Sequence, residues 1–198
     1  RVVLLASHGL VVSGPSVAAV IDTNEAVVRT LADAVGRPAP APPPMDRGAL
    51  EQMVTAVRAA QPGLPYVAVA PALPAPPRAA SAPAVLFPDA AVYCGATALP
   101  LPDGARPAAL RAAAARYARR WRQAPRVWRA GDVALCAGVT ASAARATADV
   151  FWAHEQVRAL TAAPGLGGPR WLGTAAVRAL LGWEAEAYRQ QVAARAPR

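Results

Sequence analysis

Proline sets the tightest limits on this chain. It fixes φ and removes a backbone donor, so helix interiors and central strands exclude it. Of the 21 prolines in 198 residues, five fall within 37–45 and seven within 62–83. The first cluster predicts a stiff connection of polyproline type. The second predicts irregular structure. Between them, residues 46–61 return to helical spacing, with Leu50, Met53, Val54 and Val57 on one side. Three regions follow. Residues 1–36 form a first unit, 37–83 a Pro/Ala-rich linker with one helix, and 84–198 a second α/β unit with a C-terminal helix.

The first unit reads as strand, turn, strand, helix. Residues 2–6 and 10–12 are apolar and flank Ser7-His8-Gly9, and Ser13-Gly14 closes the second strand. Pro15 suits a first helical turn. Val17, Val20, Ile21, Val27, Val28, Leu31 and Val35 then recur at helical spacing up to Gly36. The opening run reads as a buried strand that needs neighbours for its backbone groups. That predicts that the chain is the C-terminal part of a longer one.

In the second unit, 85–87 and 91–95 are predicted as strands about a Pro88-Asp89 turn. A helix over 107–123 would turn Leu110, Ala114, Tyr117 and Trp121 inward. Strands are expected over 126–129 and 133–136, and Thr140 can cap a helix running to about residue 160. A final helix from Thr174 would bury Val177, Leu180, Leu181, Tyr188 and Val192. All five tryptophans lie in this unit and 1–36 holds no aromatic residue, so the second unit is expected to be the more self-sufficient core.

The two units share a pattern at an offset of 124 residues. His8 to Gly14 lies over Asp132 to Gly138, each copy a strand, a closing glycine and a long helix. Asp132 takes the place of His8. With Arg129 so close and no histidine nearby, Asp132 is expected to pair with that charge and to hydrogen-bond its own turn.

The formal net charge of +9 comes from arginine alone; there is no lysine. With abundant Ala, Pro and Gly, this reads as a coding bias, and net charge speaks of electrostatics and not of a site. No nucleic-acid partner is expected, and a basic nucleic-acid-binding module stands only as a remote alternative. Arg111, Arg116, Arg119, Arg120 and Arg122 are expected on a solvated helix face. The apolar runs are strand-sized, so no membrane partner is expected. Cys94 and Cys136 sit in apolar surroundings and read as buried thiols of a reducing, cytoplasmic compartment.

Few residues offer chemistry. His8, in a His-Gly pair between apolar strands, is the candidate metal ligand, since neutral imidazole suits zinc and related ions. The bland alternative is a hydrogen-bonded structural histidine. His154 falls on the apolar side of its helix and reads as packing. No His-x-His, His-Glu-x-x-His, Gly-x-Ser-x-Gly or phosphate-binding loop is present. Catalytic zinc needs three protein ligands, so one histidine cannot complete a site.

Residues 3–14, Val-Leu-Leu-Ala-Ser-His-Gly-Leu-Val-Val-Ser-Gly, with the helix through Asn24-Glu25-Ala26, resemble the end of a class II aldolase/adducin-type domain. That family includes fuculose-phosphate and rhamnulose-phosphate aldolases and ribulose-phosphate 4-epimerase. Residues 86–95, Leu-Phe-Pro-Asp-Ala-Ala-Val-Tyr-Cys-Gly, and 181–190, Leu-Gly-Trp-Glu-Ala-Glu-Ala-Tyr-Arg-Gln, resemble the C-terminal region of longer bacterial members. The resemblance implies a layered α/β/α fold of class II aldolase type, with two similar strand-Gly-helix units joined by the Pro-rich linker. It implies a divalent metal, zinc in most members, with His8 as one ligand. The implied substrate is a sugar or sugar phosphate, and the implied assembly a homo-oligomer. The implied chemistry is carbon–carbon cleavage in which a Lewis acid stabilises an enediolate. The family's His-x-His pair and acid/base glutamate have no counterpart here, so the chain alone is expected to be inactive. A non-catalytic scaffold like adducin's head is the alternative.

Overall fold

The structure, a computed structural model, describes residues 1–5, 9–36, 39–43, 45–75, 82–163 and 165–183. The chain is mixed α/β. Strands β1 (Val2–Leu5) and β2 (Gly9–Val12) pair antiparallel with Leu5 opposite Gly9, and helix α1 (Val17–Val35) follows. Ser16 caps α1 by accepting the Ala19 N–H at 3.2 Å. Gly9 lies at φ 125°, a conformation that side chains rarely adopt.

The buried-strand expectation for β1 is corrected. All four of its residues are exposed, and Leu4 keeps 71% of its surface. Helix α1 also buries nothing, with Val17 at 77%. Among the described residues of 1–36 none is buried. Alternating apolar residues found no second layer within the described chain to cover them.

The core belongs to a four-stranded mixed sheet. Its strands are β3 (Tyr66–Pro71), β4 (Leu99–Pro100), β5 (Val127–Ala130) and β6 (Val133–Gly138), in the order β3-β6-β5-β4. β6 is antiparallel to both neighbours, and β4 runs parallel to β5. Helix α2 (Arg47–Ala60) and helix α4 (Pro107–Trp121) cover one face. Val57, Ala60 and Leu110 from these helices meet Trp128, Ala130, Val133 and Leu135 from the sheet. Helix α3 (Pro88–Cys94) and helix α5 (Ala141–Thr161) cover the other face, where Cys94, Ala148 and Phe151 meet Ala70, Val127, Ala134 and Cys136. Helix α6 (Thr174–Leu181) sets Val177 against Ala90, Ala91 and Trp121.

Several expectations meet their elements. Thr140 caps α5 through its side chain, and the helix expected over 46–61 forms, with Asp46 as its cap. Leu110, Tyr117 and Trp121 are buried along α4, and the five arginines of its outer face and C-cap are exposed. Two expectations are corrected. Residues 85–87 form no strand, and 88–94 form a helix, not a strand after a turn: Pro88 starts it, and Gly95, at φ 81°, ends it. Residues 62–83 are not wholly irregular, because Tyr66–Pro71 pairs with β6 along its full length. β3 is an edge strand, where a terminal proline is tolerated. The 37–83 stretch thus supplies a helix and a strand to the same layers as β4, β5 and β6. Tyr188 and Val192 lie outside the described residues.

Gly138 ends β6 where α5 begins. A Cβ there would stand 2.5 Å from the Ala144 nitrogen, which is backbone and cannot swing aside. Its counterpart in the first unit, Gly14, would meet the Val20 Cγ2 at 3.3 Å. We predict that Gly138→Ala lowers unfolding stability by about 2 kcal/mol or more, against about 0.5 kcal/mol for Gly14→Ala. Urea denaturation followed by tryptophan fluorescence checks this. Equal midpoint shifts would contradict it.

Candidate functional site

Helix α5 puts Phe151, His154, Glu155 and Arg158 on adjoining turns of one face, at spacings of three, four and seven. That face looks onto the sheet side presented by Val127 and Arg129 of β5. Glu155 is buried, 1% exposed, and fully paired. Its Oε2 accepts from Arg129 Nη2 at 2.7 Å, Arg158 Nη2 at 3.0 Å and the Leu73 N–H at 3.0 Å. Oε1 accepts from Arg158 Nε at 3.1 Å. The two arginines also donate to the chain leaving β3: Arg129 Nη1 to the Leu73 carbonyl and Arg158 Nη2 to the Pro74 carbonyl at 3.0 Å.

Burial alone would raise the Glu155 carboxyl. The neighbouring His154 ring and the two guanidiniums outweigh it and hold the group down at about 2, from an ordinary 4.5. His154 Nδ1 stands 3.8 Å from Oε1, too far for a hydrogen bond, so the arginines are the direct partners.

His154 is 5% exposed, and its ring centroid lies 5.7 Å from that of Phe87 and 6.2 Å from that of Trp171, both tilted. Its Nε2 is buried without a hydrogen-bond partner among the described residues. His154, Glu155, Arg129 and Arg158 border a cavity of about 440 Å³, whose other walls include Val85, Ala98, Val127 and Phe151.

The expected ligand His8 lies outside the described residues. Asp132 is exposed, and its backbone carbonyl, not its side chain, is engaged, accepting the Ala72 N–H at 2.8 Å. The expected pairing with Arg129 is therefore corrected, because that guanidinium turns to Glu155. Gly131, at φ 53°, makes the turn instead. Cys94 is pushed up to about 12 and Cys136 well above its usual value, both by burial, so neither is a ready thiolate nucleophile. Among the described residues no three His, Cys, Asp or Glu side chains converge to hold a metal. None of the described helices is long and apolar enough to cross a membrane.

The Glu155 cluster escaped the sequence reading. One signal was available: a carboxylate on the apolar face of a helix, three residues before an arginine. No family model, curated protein or solved structure gives a significant match to the chain.

The depressed carboxyl makes a pH prediction. The folded value lies below the unfolded one, so its stabilisation is complete above about 4.5 and is lost as pH falls towards about 2. Glu155→Gln is expected to cost about 3 kcal/mol at pH 7, because two buried guanidiniums lose their counter-ion. The gap from wild type should narrow between pH 4.5 and 2. Chemical denaturation across that range reads it out, and a gap that does not change with pH would show that the charge is not what matters.

Proposed function

We propose that this chain is part of a divalent-metal-dependent carbon–carbon lyase of class II aldolase type, acting on a sugar or sugar phosphate as a homo-oligomer. His8 would be one metal ligand, with zinc the first metal to test. The described residues do not themselves make a metal site, so the remaining ligands must come from elsewhere in the functional protein. The observation that supports the reading is Gly9. It sits at φ 125° at the start of β2, so the glycine of the His-Gly pair is demanded by the backbone. The apolar residues exposed along β1, β2 and α1 fit a unit that is completed by further protein. The same exposed surface also suits a non-catalytic scaffold, and metal content separates the two.

The test uses the natural gene product that contains this chain. Elemental analysis should find one divalent metal per chain, and the protein should cleave a ketose 1-phosphate. His8→Ala should lose the metal and at least about a hundredfold in activity together, as loss of a direct ligand does. Metal content and cleavage both unchanged in that variant would falsify the assignment. Metal-free, inactive protein with intact fold would favour the scaffold.

A further inference from the structure

Helix α4 carries arginine without acid. No Asp or Glu lies between Asp103 and Asp132, yet Arg111, Arg116, Arg119, Arg120 and Arg122 are exposed along this helix and its cap. Coding bias accounts for arginine in place of lysine. It does not account for acids missing here while α1 and α2 each pair one with arginine at a spacing of four. Among the described residues none of these five arginines forms an ion pair. Like charges three and four residues apart, such as Arg116 with Arg119 and Arg120, destabilise a helix, and an anionic partner removes that cost.

An open apolar groove runs beside these charges. Ala114 and Ala118 of α4 line it together with Leu64 and Pro125, and Arg111 borders it. Such a surface fits a segment with aliphatic side chains and an acidic flank.

Helix α1 has that character. Ile21, Val28 and Leu31 are exposed along it. Asp22, Glu25 and Asp33 are exposed on one flank of them, and Glu25 alone of the three has an ion pair among the described residues, a solvent-screened one with Arg29 at 3.5 Å. On α1 and α4 alike, the charged residues lie to the same side of the apolar ones in the sense of the helix turn. Only an antiparallel crossing then sets acid beside arginine and aliphatic beside groove. The register matches as well. Asp22, Glu25 and Asp33 are spaced by three and eight residues, and Arg122, Arg119 and Arg111 by three and eight in reverse. Asp22 therefore meets Arg122, Glu25 meets Arg119 and Asp33 meets Arg111. Arg29 falls opposite Ala115, and Val28 and Leu31 come over Ala114 and Ala118.

A chain's own α1 does not reach this surface. The Ala39 carbonyl accepts from Gln156 Nε2 of α5 at 2.9 Å, on the sheet face opposite α4. Val35, the last residue of α1, is at most about 14 Å of chain away from Ala39. That tether is too short to carry α1 round the sheet, so the occupant is a second copy.

We propose that α1 of one copy docks antiparallel on the α4 face of another, and that a reciprocal pair of these contacts closes a two-fold dimer. The facing residues of α1 expose roughly 400 Å², so two contacts counted on both partners bury about 1,600 Å² in all, the size of a specific interface. The dimer supplies an interface for the homo-oligomer of the proposed function. Metal and cleavage play no part in its test, so each can fail without the other.

Sedimentation velocity of the 198-residue chain tests it. Wild type should dimerise with a Kd below about 10 μM at low salt. The pair Arg111→Glu with Arg119→Glu, and the pair Glu25→Arg with Asp33→Arg, each reverse one side of the contact at exposed positions. Each variant alone should associate at least about a hundredfold more weakly. An equimolar mixture of the two should restore a one-to-one dimer, because both contacts then join opposite charges again. Val28→Asp with Leu31→Asp removes the aliphatic side and should leave a monomer. The proposal is overturned by a wild type that stays monomeric at about 100 μM. It is equally overturned if Arg111→Glu with Arg119→Glu dimerises as wild type does, which is the outcome of α1 pairing with itself, or if the mixture stays monomeric. Should a charge-reversed chain fail to fold by circular dichroism, Val28→Asp with Leu31→Asp decides, and undiminished dimerisation there overturns the proposal.

Discussion

One buried carboxylate joins three parts of the sheet unit. Glu155 belongs to α5, yet its partners are Arg129 of β5, Arg158 of its own helix and the backbone leaving β3 at Leu73. Taking a carboxylate out of water costs several kcal/mol, and only nearly complete hydrogen bonding offsets that. Here both oxygens are engaged, and both arginines continue past Glu155 to carbonyls of residues 73 and 74. The edge strand β3 is thus tied at its exit to the helix that covers it. Along its length β3 packs against α5, and the tie acts where Pro71 ends its ladder.

The sheet's two faces differ in side-chain size. Under α2 and α4 the core uses Val57, Leu101, Leu110, Trp128 and Leu135. Trp128 donates its Nε1–H to Gln61 at 2.7 Å, and Gln61 donates to the Pro125 carbonyl at 2.9 Å, so this larger-residue face carries a satisfied buried polar pair. Under α5 the core is small: Ala70, Ala72, Ala134, Cys136 and Ala148. Small residues and the bare Gly138 let α5 lie close to β6. The cavity bordered by Arg129, His154 and Arg158 lies beside this face, with Val85, Ala90, Ala98 and Val127 among its other walls.

How much of this could be read from residues alone varies with the range of the interaction. The helices α1, α2, α4 and α5 were legible, because helical spacing and a cap such as Thr140 are local signals. Residues 91–94 misled because Val92-Tyr93-Cys94 has strand-like composition, while Pro88 and Gly95 are the true helix boundaries. β3 was hidden by its flanking prolines, although Val67 and Val69 alternate with alanine as a strand should. The Glu155 cluster was beyond local pattern: Arg129 lies 26 residues away and Leu73 lies 82 away. Only folding brings them together. β1 is exposed for the complementary reason, since an apolar run announces that something should cover it but not what does.

The claim on which the rest depends is that Glu155 holds the chain at the exit of β3. Amide hydrogen exchange at Leu73 reads that contact directly, because its N–H donates to the Glu155 carboxylate and lies outside the β3–β6 ladder. Above pH 5 the Leu73 amide should exchange as slowly as the amides within β3, and Glu155→Gln should speed it by about a hundredfold or more while amides in the middle of β6 change far less. Exchange of the wild-type Leu73 amide at the rate of an unprotected loop would contradict the account.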